Sequence, residues 1–202
     1  MRKTLIVLIT IFIIIITIFN FTIKSNFMKS SKSSKQNIYD IAYELGVHYI
    51  DLGLYHEFKD NKLAVMFDID DTLLKFKNDK PYPIQSIINL LNYSRSKGLM
   101  IVIITARDSR YINETLQQLR QFGIKYDKLY MRHDPKDNYQ LFKSDIKKRY
   151  LEQENIRMIM SVGDNDIDII GPYSGYCLKL PNISDPRLFH TNAFGQIENI
   201  VP

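Results

Sequence analysis

The stretch LAVMFDIDDT, residues 63–72, decides the fold of this 202-residue chain. Its first half, LAVMF, is a short continuous apolar run of the kind found in strands that are buried on both faces of a parallel sheet. Its second half places Asp68, Asp70, Asp71 and Thr72 directly after that run. Because ligands bind at the carboxyl ends of the strands in such sheets, the stretch predicts a buried strand with a polar site at its end.

Helix and strand patterns alternate along the chain around this stretch. Helical spacing or helix end signals mark residues 38–58, 83–97, 111–122 and 138–154, and apolar runs mark strands at residues 99–104, 128–131, 156–162 and 175–180. The alternation predicts an α/β fold, a three-layer Rossmann-like sandwich with helices on both faces of a mainly parallel sheet. These elements take up most of the residues between Thr72, Thr105 and Lys143, so we expect no large cap domain.

The N-terminal segment differs from the rest of the chain in hydropathy. Residues 4–23 are 20 consecutive uncharged residues, and a helix of that length spans about 30 Å, the thickness of a bilayer core. We expect a single-pass signal anchor over residues 1–23, a polar tether over residues 24–37 and a folded domain over residues 38–202. A cleaved secretory signal is the alternative, although no small-x-small cleavage site follows. Orientation stays open, with lysines after the segment favouring a cytoplasmic domain.

Net charge disfavours nucleic acid as a partner, and cysteine content excludes two kinds of site. The formal charge is +5, but residues 1–35 hold six basic side chains and no acidic one, which leaves 21 basic and 22 acidic side chains in residues 36–202. A domain with a net charge of −1 lacks the overall basic footprint of a nucleic-acid-binding protein. The single cysteine, Cys177, excludes an intrachain disulfide and a cysteine zinc cluster.

Polar residues at the predicted strand ends form an ordered set. Thr105 follows the second strand, Lys143 lies on the helix before the third, and Asp164 and Asp168 follow the third. Each residue type alone has an ordinary structural explanation as a turn, a helix cap or a solvated lysine. Their occurrence in order at the ends of neighbouring elements indicates one shared site instead.

The chemistry of this set is that of phosphoryl transfer. Asp68 and Asp70, two residues apart, project in the same general direction, so one can act as a nucleophile and the other as acid and base. A third carboxylate completes an all-oxygen site that suits Mg²⁺. A threonine hydroxyl and a lysine ammonium suit the remaining oxygens of a phosphoryl group.

These motifs resemble those of the haloacid dehalogenase (HAD) superfamily of phosphohydrolases. The similar stretches are FDIDDT at residues 67–72, IIT at 103–105, Lys143 and GDNDID at 163–168. The stretches ITARD at 104–108, YDKLYMR at 126–132, FKSDIKKR at 142–149 and LKLPN at 178–182 are similar to the acid phosphatase branch, subfamily IIIB. The resemblance extends over about residues 60–185.

The resemblance implies a metal-dependent reaction with a covalent intermediate. Asp68 would attack phosphorus and form an aspartyl phosphate, while Asp70 would protonate the leaving alcohol and then activate water. Mg²⁺ would be held by Asp68, the main-chain carbonyl of Asp70 and Asp164, with Asp168 bound directly or through water.

The resemblance also implies that Thr105 and Lys143 bind phosphoryl oxygens and the nucleophile. Lys136 and Lys147 compete with Lys143 for this role, and the sequence FKS favours Lys143. Asp71 stands where this branch more often has glutamate, and it is not assigned to catalysis.

The expected function is broad phosphomonoester hydrolysis by a membrane-anchored, Mg²⁺-dependent, acid-phosphatase-like enzyme. A polynucleotide end phosphatase is one alternative, which the charge of the domain disfavours. A catalytically inactive, membrane-tethered binding protein on the same scaffold is another, which the retained Asp68 disfavours. The expected partners are a phosphomonoester and the membrane, and the oligomeric state stays open. Among the histidines, only His133 is placed where it could reach a substrate.

Overall fold

The computed structural model describes residues 37–58, 60–133, 141–191 and 196–201. The expected anchor over residues 1–23 and all of the tether except Asn37 lie outside these residues. Within them, no helix combines the length and the apolar character needed to cross a membrane. The unit described below begins at Ile38.

The described elements form a wound α/β unit. In chain order they are α1 (Ile38–Leu52), β1 (Lys62–Phe67), β2 (Leu74–Lys77), β3 (Lys80–Pro83), α2 (Gln85–Ser96), β4 (Met100–Asp108), α3 (Ile112–Gln121), β5 (Lys128–Arg132), α4 (Phe142–Glu154), β6 (Ile156–Gly163), α5 (Asp166–Ile169), β7 (Tyr176–Lys179), β8 (Leu188–Thr191) and β9 (Ile197–Val201). One sheet has the order β5-β4-β1-β6-β7-β8-β9. Its first five strands are mutually parallel, whereas β8 and β9 are antiparallel to their neighbours. The predicted mainly parallel sheet is confirmed.

Helices cover both faces of this sheet. Val65 and Phe67 of β1 belong to a core cluster that also contains apolar residues of α1, α2 and α3. Ala64 and Met66, which alternate with them, pack in a second cluster with apolar residues of α4. Burial on both faces explains why β1 reads as a continuous apolar run, and it gives the predicted three-layer arrangement.

Three element boundaries differ from the sequence prediction. The first helix ends at Leu52 rather than near residue 58, because Gly53 adopts a positive φ of 64° and a short 3₁₀ turn, Leu54–Phe58, follows. The second helix begins at Gln85, because Pro83 is paired with Leu74 in a hairpin. The second strand extends to Asp108, so Thr105 lies within β4 instead of after it.

The hairpin of β2 and β3 was not predicted from the sequence. Its turn residues Asn78 and Asp79 have φ values of 50° and 58°, which is the backbone of a type I′ turn. Within the described part of the chain, this hairpin is the insertion between β1 and α2. The antiparallel strands β8 and β9 were also missed.

Candidate active site

β1 and β6 are neighbouring parallel strands near the middle of the sheet, so their carboxyl ends lie side by side. Phe67 is in register with Val162, and the amide of Asp68 donates a hydrogen bond of 3.1 Å to the Val162 carbonyl. An open depression of about 130 Å³ lies at this place. Its lining comprises Asp68, Asp70, Asp71, Thr105, Ala106, Lys143, Asp164, Asn165 and Asp168. The structure therefore brings together every residue that the sequence assigned to the site.

Asp68 is a buried carboxyl group paired with a buried ammonium. Its side chain accepts a hydrogen bond from Lys143 Nζ. Burial is the largest influence on the pKa of Asp68 and raises it well above the usual range, the Lys143 ammonium opposes that effect, and the carboxylate of Asp168 adds to it. A negatively charged carboxylate at this position therefore depends on positive charge nearby.

Lys143 supplies positive charge from the first turn of α4. Its Nζ lies 2.6 Å from Asp168 Oδ1 in addition to its bond to Asp68, and the side chain is 1% exposed. Burial acts to lower the pKa of Lys143, but the carboxylates of Asp168 and Asp68 outweigh burial and raise it. The lysine is thus held as a cation between two carboxylates.

Asp164 presents one carboxylate oxygen without a protein partner. Its Oδ2 accepts hydrogen bonds of 2.9 Å from the side-chain amides of Asn165 and Asn182. Its Oδ1 is buried and has no hydrogen-bond partner. Burial, the largest influence, raises the pKa of Asp164 to about 6, although the bond from Asn182 acts in the opposite direction. A buried, unsatisfied carboxylate oxygen is costly unless a ligand completes it.

Asp168 lies in α5, and its side chain packs against Gly163 at the carboxyl end of β6. Its Oδ1 pairs with Lys143, and its Oδ2 accepts a bond of 3.0 Å from the amide of Asn165. A Cβ at position 163 would lie 2.2 Å from the Cβ of Asp168. Gly163 is therefore required for the close approach that brings Asp168 to Lys143.

The donor set fits a hard divalent cation. One carboxylate oxygen from each of Asp68, Asp164 and Asp168 lies within 4.8 Å of the other two. Carboxylate oxygens are the ligands that Mg²⁺ takes in proteins, together with water and substrate oxygens. The partnerless Oδ1 of Asp164 is the atom that most needs such an ion, whereas both oxygens of Asp168 already have protein partners.

Asp70 lines the same depression, but its carboxylate is held by Arg107. The guanidinium of Arg107 donates from Nε to Asp70 Oδ2 at 2.8 Å and from Nη2 to Asp70 Oδ1 at 2.7 Å. This two-point geometry fixes the plane of a carboxylate more tightly than a single bond does. The pair holds Asp70 in one orientation at the mouth of the site.

Arg107 is itself anchored on α3 and on the hairpin. Its Nη1 donates to Gln118 Oε1 at 2.8 Å and to Thr115 Oγ1 at 3.3 Å, and its guanidinium carbon lies 5.6 Å from the centre of the Phe76 ring. No role for Arg107 was predicted from the sequence. The available signal was its position in ITARD, two residues after Thr105.

Thr105 and Asp71 complete the lining of the depression. Thr105 is fully buried within β4, and its Oγ1 accepts a bond of 3.3 Å from the amide of Arg107. The pairing of β4 with β5 shifts register directly after Thr105, which ends the regular ladder at the site. Asp71 has a positive φ of 51° in the turn after Asp70.

The other candidates lie away from the depression or outside the described residues. Lys147 is buried one turn after Lys143 and donates to the Asp168 carbonyl at 2.9 Å and to Ser174 Oγ at 2.5 Å. Burial lowers the pKa of Lys147 to about 8. Lys136 falls outside the described residues. His133 is exposed, with its ring 5.7 Å from that of Tyr130, and it does not line the depression.

Comparison with protein families gives a match over more than half of the chain. Residues 75–185 match the model of the HAD superfamily, subfamily IIIB (acid phosphatase). The matched range begins after Asp68 and Asp70 and contains Thr105, Lys143 and Asp164. No curated protein matches the chain.

One solved structure shows the same fold, and a second is similar in part. The Pnkp1/Rnl/Hen1 complex contains a chain that matches with a TM-score of 0.52 and 19% identity, over 61% of this chain and 47% of that one. This protein therefore spans about half the length of that relative, and an identity so low supports the fold alone. The class C acid phosphatase from Bacillus anthracis matches with a TM-score of 0.49 and 23% identity, over 68% of this chain and 67% of that one.

Proposed function

Because the chain belongs to subfamily IIIB, the acid phosphatases, of the HAD superfamily, we propose that it hydrolyses phosphomonoesters through an aspartyl phosphate on Asp68, with Mg²⁺ as cofactor. The observation that carries this proposal is the pairing of a buried Asp68 with Lys143 beside Asp70 in one open depression. A nucleophile, an acid and base and a fixed cation are the parts that such a reaction needs.

In the first half-reaction, an oxygen of Asp68 attacks phosphorus and the bond from phosphorus to the ester oxygen breaks. Asp70 gives its proton to the departing alcohol. In the second half-reaction, Asp70 takes a proton from the water that attacks phosphorus, the bond to Asp68 breaks, and inorganic phosphate leaves. Asp70 lies at the mouth of the depression, with its side chain 48% exposed, where it can meet both the alcohol and the water.

Lys143 and Thr105 reduce the repulsion between the phosphoryl group and the carboxylates. The Lys143 ammonium already contacts Asp68, so an incoming phosphoryl oxygen meets a fixed positive charge. Thr105 Oγ1 accepts a bond from a main-chain amide, which leaves its hydroxyl proton for a phosphoryl oxygen.

Asp68 and Asp164 would hold Mg²⁺, with the main-chain carbonyl of Asp70. When bound, the ion would offset the negative charge of the carboxylates and of the phosphoryl group. Asp168 would act mainly by fixing Lys143, since both of its oxygens have protein partners.

The pairing of Asp70 with Arg107 affects how Asp70 can transfer protons. Each oxygen of Asp70 accepts one hydrogen bond from Arg107, which leaves a second lone pair on each oxygen to take up a proton. Arg107 can therefore keep Asp70 in position while the alcohol or the water is engaged.

The open depression supports broad specificity for the ester group. Within the described part of the chain, the site carries a hairpin rather than an enclosing domain, so bulky phosphomonoesters are not shut out. A polynucleotide end remains the second substrate class to test, although residues 36–202 have a net charge of −1.

The proposal predicts that phosphate release from p-nitrophenyl phosphate by the purified chain depends on Mg²⁺. Removal of divalent ions with EDTA should reduce the rate by at least about 100-fold, because several kcal/mol of charge stabilisation are lost. Excess Mg²⁺ should restore the rate. Undiminished turnover in EDTA would contradict the metal-dependent mechanism. Glycerol phosphate and a 5′-phosphorylated oligonucleotide, assayed in parallel, would distinguish broad from polynucleotide specificity.

We further propose that residues 4–23 anchor the protein in a membrane. The support is the sequence, which has 20 consecutive uncharged residues there. The full chain should stay in the membrane pellet after washing at high pH, and release into the supernatant would argue against an anchor.

A further inference from the structure

The loop after β7, residues 180–187, contacts Asp164 through Asn182. β7 pairs with β6 through Lys179 and Gly163, and the amide of Leu180 donates to the Gly163 carbonyl at 2.7 Å. This pairing brings Asn182 next to Asp164. The Asn182 side-chain amide donates both to the main-chain carbonyl of Asp164 at 2.8 Å and to Asp164 Oδ2 at 2.9 Å.

The orientation of the Asn182 amide is fixed by its own loop. Its Oδ1 accepts hydrogen bonds of 2.8 Å from the amide of Ser184 and 2.7 Å from the amide of Asp185. Because the carbonyl end faces these two donors, the NH₂ end faces Asp164. The main-chain amide of Asn182 also donates to the Asp185 carbonyl at 2.9 Å.

Charged contacts hold this loop in place. The Asp185 carboxylate pairs with Arg187 at 2.7 Å and with Lys179 at 3.4 Å. Lys179 is buried at the end of β7, so the pairing ties the loop to the sheet. Asn182 is thus a rigidly presented donor.

The consequence is an asymmetric Asp164 carboxylate. Its Oδ2 accepts from two amides, those of Asn182 and Asn165, while Oδ1 is buried without a partner. Two donors occupy the lone pairs of Oδ2, which leaves only Oδ1 for a metal ion. Asp164 can therefore act as a one-oxygen ligand.

We propose that Asn182 is a positioning residue that favours Mg²⁺ over Ca²⁺ by preventing Asp164 from binding a cation through both oxygens. The inference rests on the proposed metal-dependent function. Mg²⁺ requires a near-octahedral shell of single oxygens, whereas Ca²⁺ accepts bidentate carboxylates and higher coordination numbers. Without the Asn182 donor, Asp164 can turn and offer both oxygens, which suits the larger ion.

Calorimetric titration of the purified chain with Mg²⁺ and with Ca²⁺ tests this proposal. In Asn182→Ala, the Kd for Mg²⁺ should rise by about 10-fold. Loss of a residue that hydrogen-bonds a metal ligand typically weakens metal binding by about 10- to 100-fold, and we expect the lower value here. The Kd for Ca²⁺ should change by less than about 3-fold, so the ratio of the two constants shifts towards Ca²⁺. Asn165→Ala, which removes the other donor to Oδ2, should shift the ratio in the same direction.

Ser184→Ala is the matched control, because it lies in the same loop and keeps the main-chain donor to Asn182. It should leave both constants unchanged. Equal weakening of both ions in Asn182→Ala would overturn the proposal and indicate a loop-bracing role alone, and unchanged constants would overturn it as well. If the unaltered protein binds neither ion, the proposed metal site itself fails, and the inference fails with it.

Discussion

Replacement of Asp68 by asparagine is expected to lower phosphatase activity by about 10⁴-fold or more, because the reaction then lacks its nucleophile. An amide of nearly the same shape keeps the packing at the end of β1. It also removes a buried acid whose pKa burial raises, so the folded state should survive the change. The measurement is phosphate release from p-nitrophenyl phosphate in Mg²⁺, with circular dichroism to confirm the fold.

Asp71→Asn is the control for this substitution. Asp71 lines the same depression and has a positive φ of 51°, a conformation that asparagine tolerates well. It should retain activity within about 10-fold, since no step of the reaction uses it. If Asp68→Asn kept activity similar to Asp71→Asn, a water molecule rather than Asp68 would be the attacking group.

Replacement of Lys143 by methionine is expected to affect both stability and activity. It leaves the carboxyl groups of Asp68 and Asp168 buried together without the cation that now contacts both. Loss of one partner from a buried ion pair costs about 3–5 kcal/mol of unfolding free energy. Activity should fall by at least about 100-fold, because a fixed positive charge near the phosphoryl oxygens is removed.

Urea unfolding with and without Mg²⁺ measures the first effect. Mg²⁺ should stabilise the Lys143→Met variant more than the unaltered protein, since a bound cation offsets part of the unpaired charge. Lys148→Met is the matched control on the same helix. Lys148 is exposed, and its ion pair with Glu152, at 3.9 Å, lies on the surface. It should change stability by less than about 1 kcal/mol. Equal destabilisation by the two substitutions would show that the buried ion pairs of Lys143 do not contribute to the free energy of unfolding.

The sequence predicted the sheet and the location of the site because both follow from simple periodic rules. β1 and β6 read as apolar runs since helices cover both faces, and parallel strands bring their carboxyl ends together. Asp68 and Asp164 were therefore expected to meet, and the structure places both in the lining of the depression. The roles of these residues stay predictions until the variants are measured.

Only the resemblance of FKS to the family separated Lys143 from Lys147 in the sequence, because helical spacing and burial treat the two lysines alike. The two lie four residues apart on one face of α4, and both are buried. The distinction comes from what surrounds each lysine: carboxylates around Lys143, and a main-chain carbonyl and a serine around Lys147. Neighbours of this kind come from distant parts of the chain.

Arg107 and Asn182 escaped prediction for the same reason. Each acts on an aspartate in another part of the sequence, Arg107 on Asp70 and Asn182 on Asp164. Their partners are set by the register of β4 and β7 in the sheet. By contrast, the β2–β3 hairpin has a local signal, because Asn78 and Asp79 favour a tight turn. The prolines at positions 81 and 83 obscured this signal, since proline is unfavourable within a strand.

Acid quenching during turnover of ³²P-labelled p-nitrophenyl phosphate shows most directly whether Asp68 carries the phosphoryl group. In Asp70→Asn the intermediate should accumulate, because p-nitrophenolate leaves without a proton whereas water is no longer activated. Peptide mapping should then find hydroxylamine-labile label on the peptide that contains Asp68, and the double variant Asp68→Asn, Asp70→Asn should carry none. Release of p-nitrophenol with no label on the protein, or with label on another residue, would mean that Asp68 is not the nucleophile.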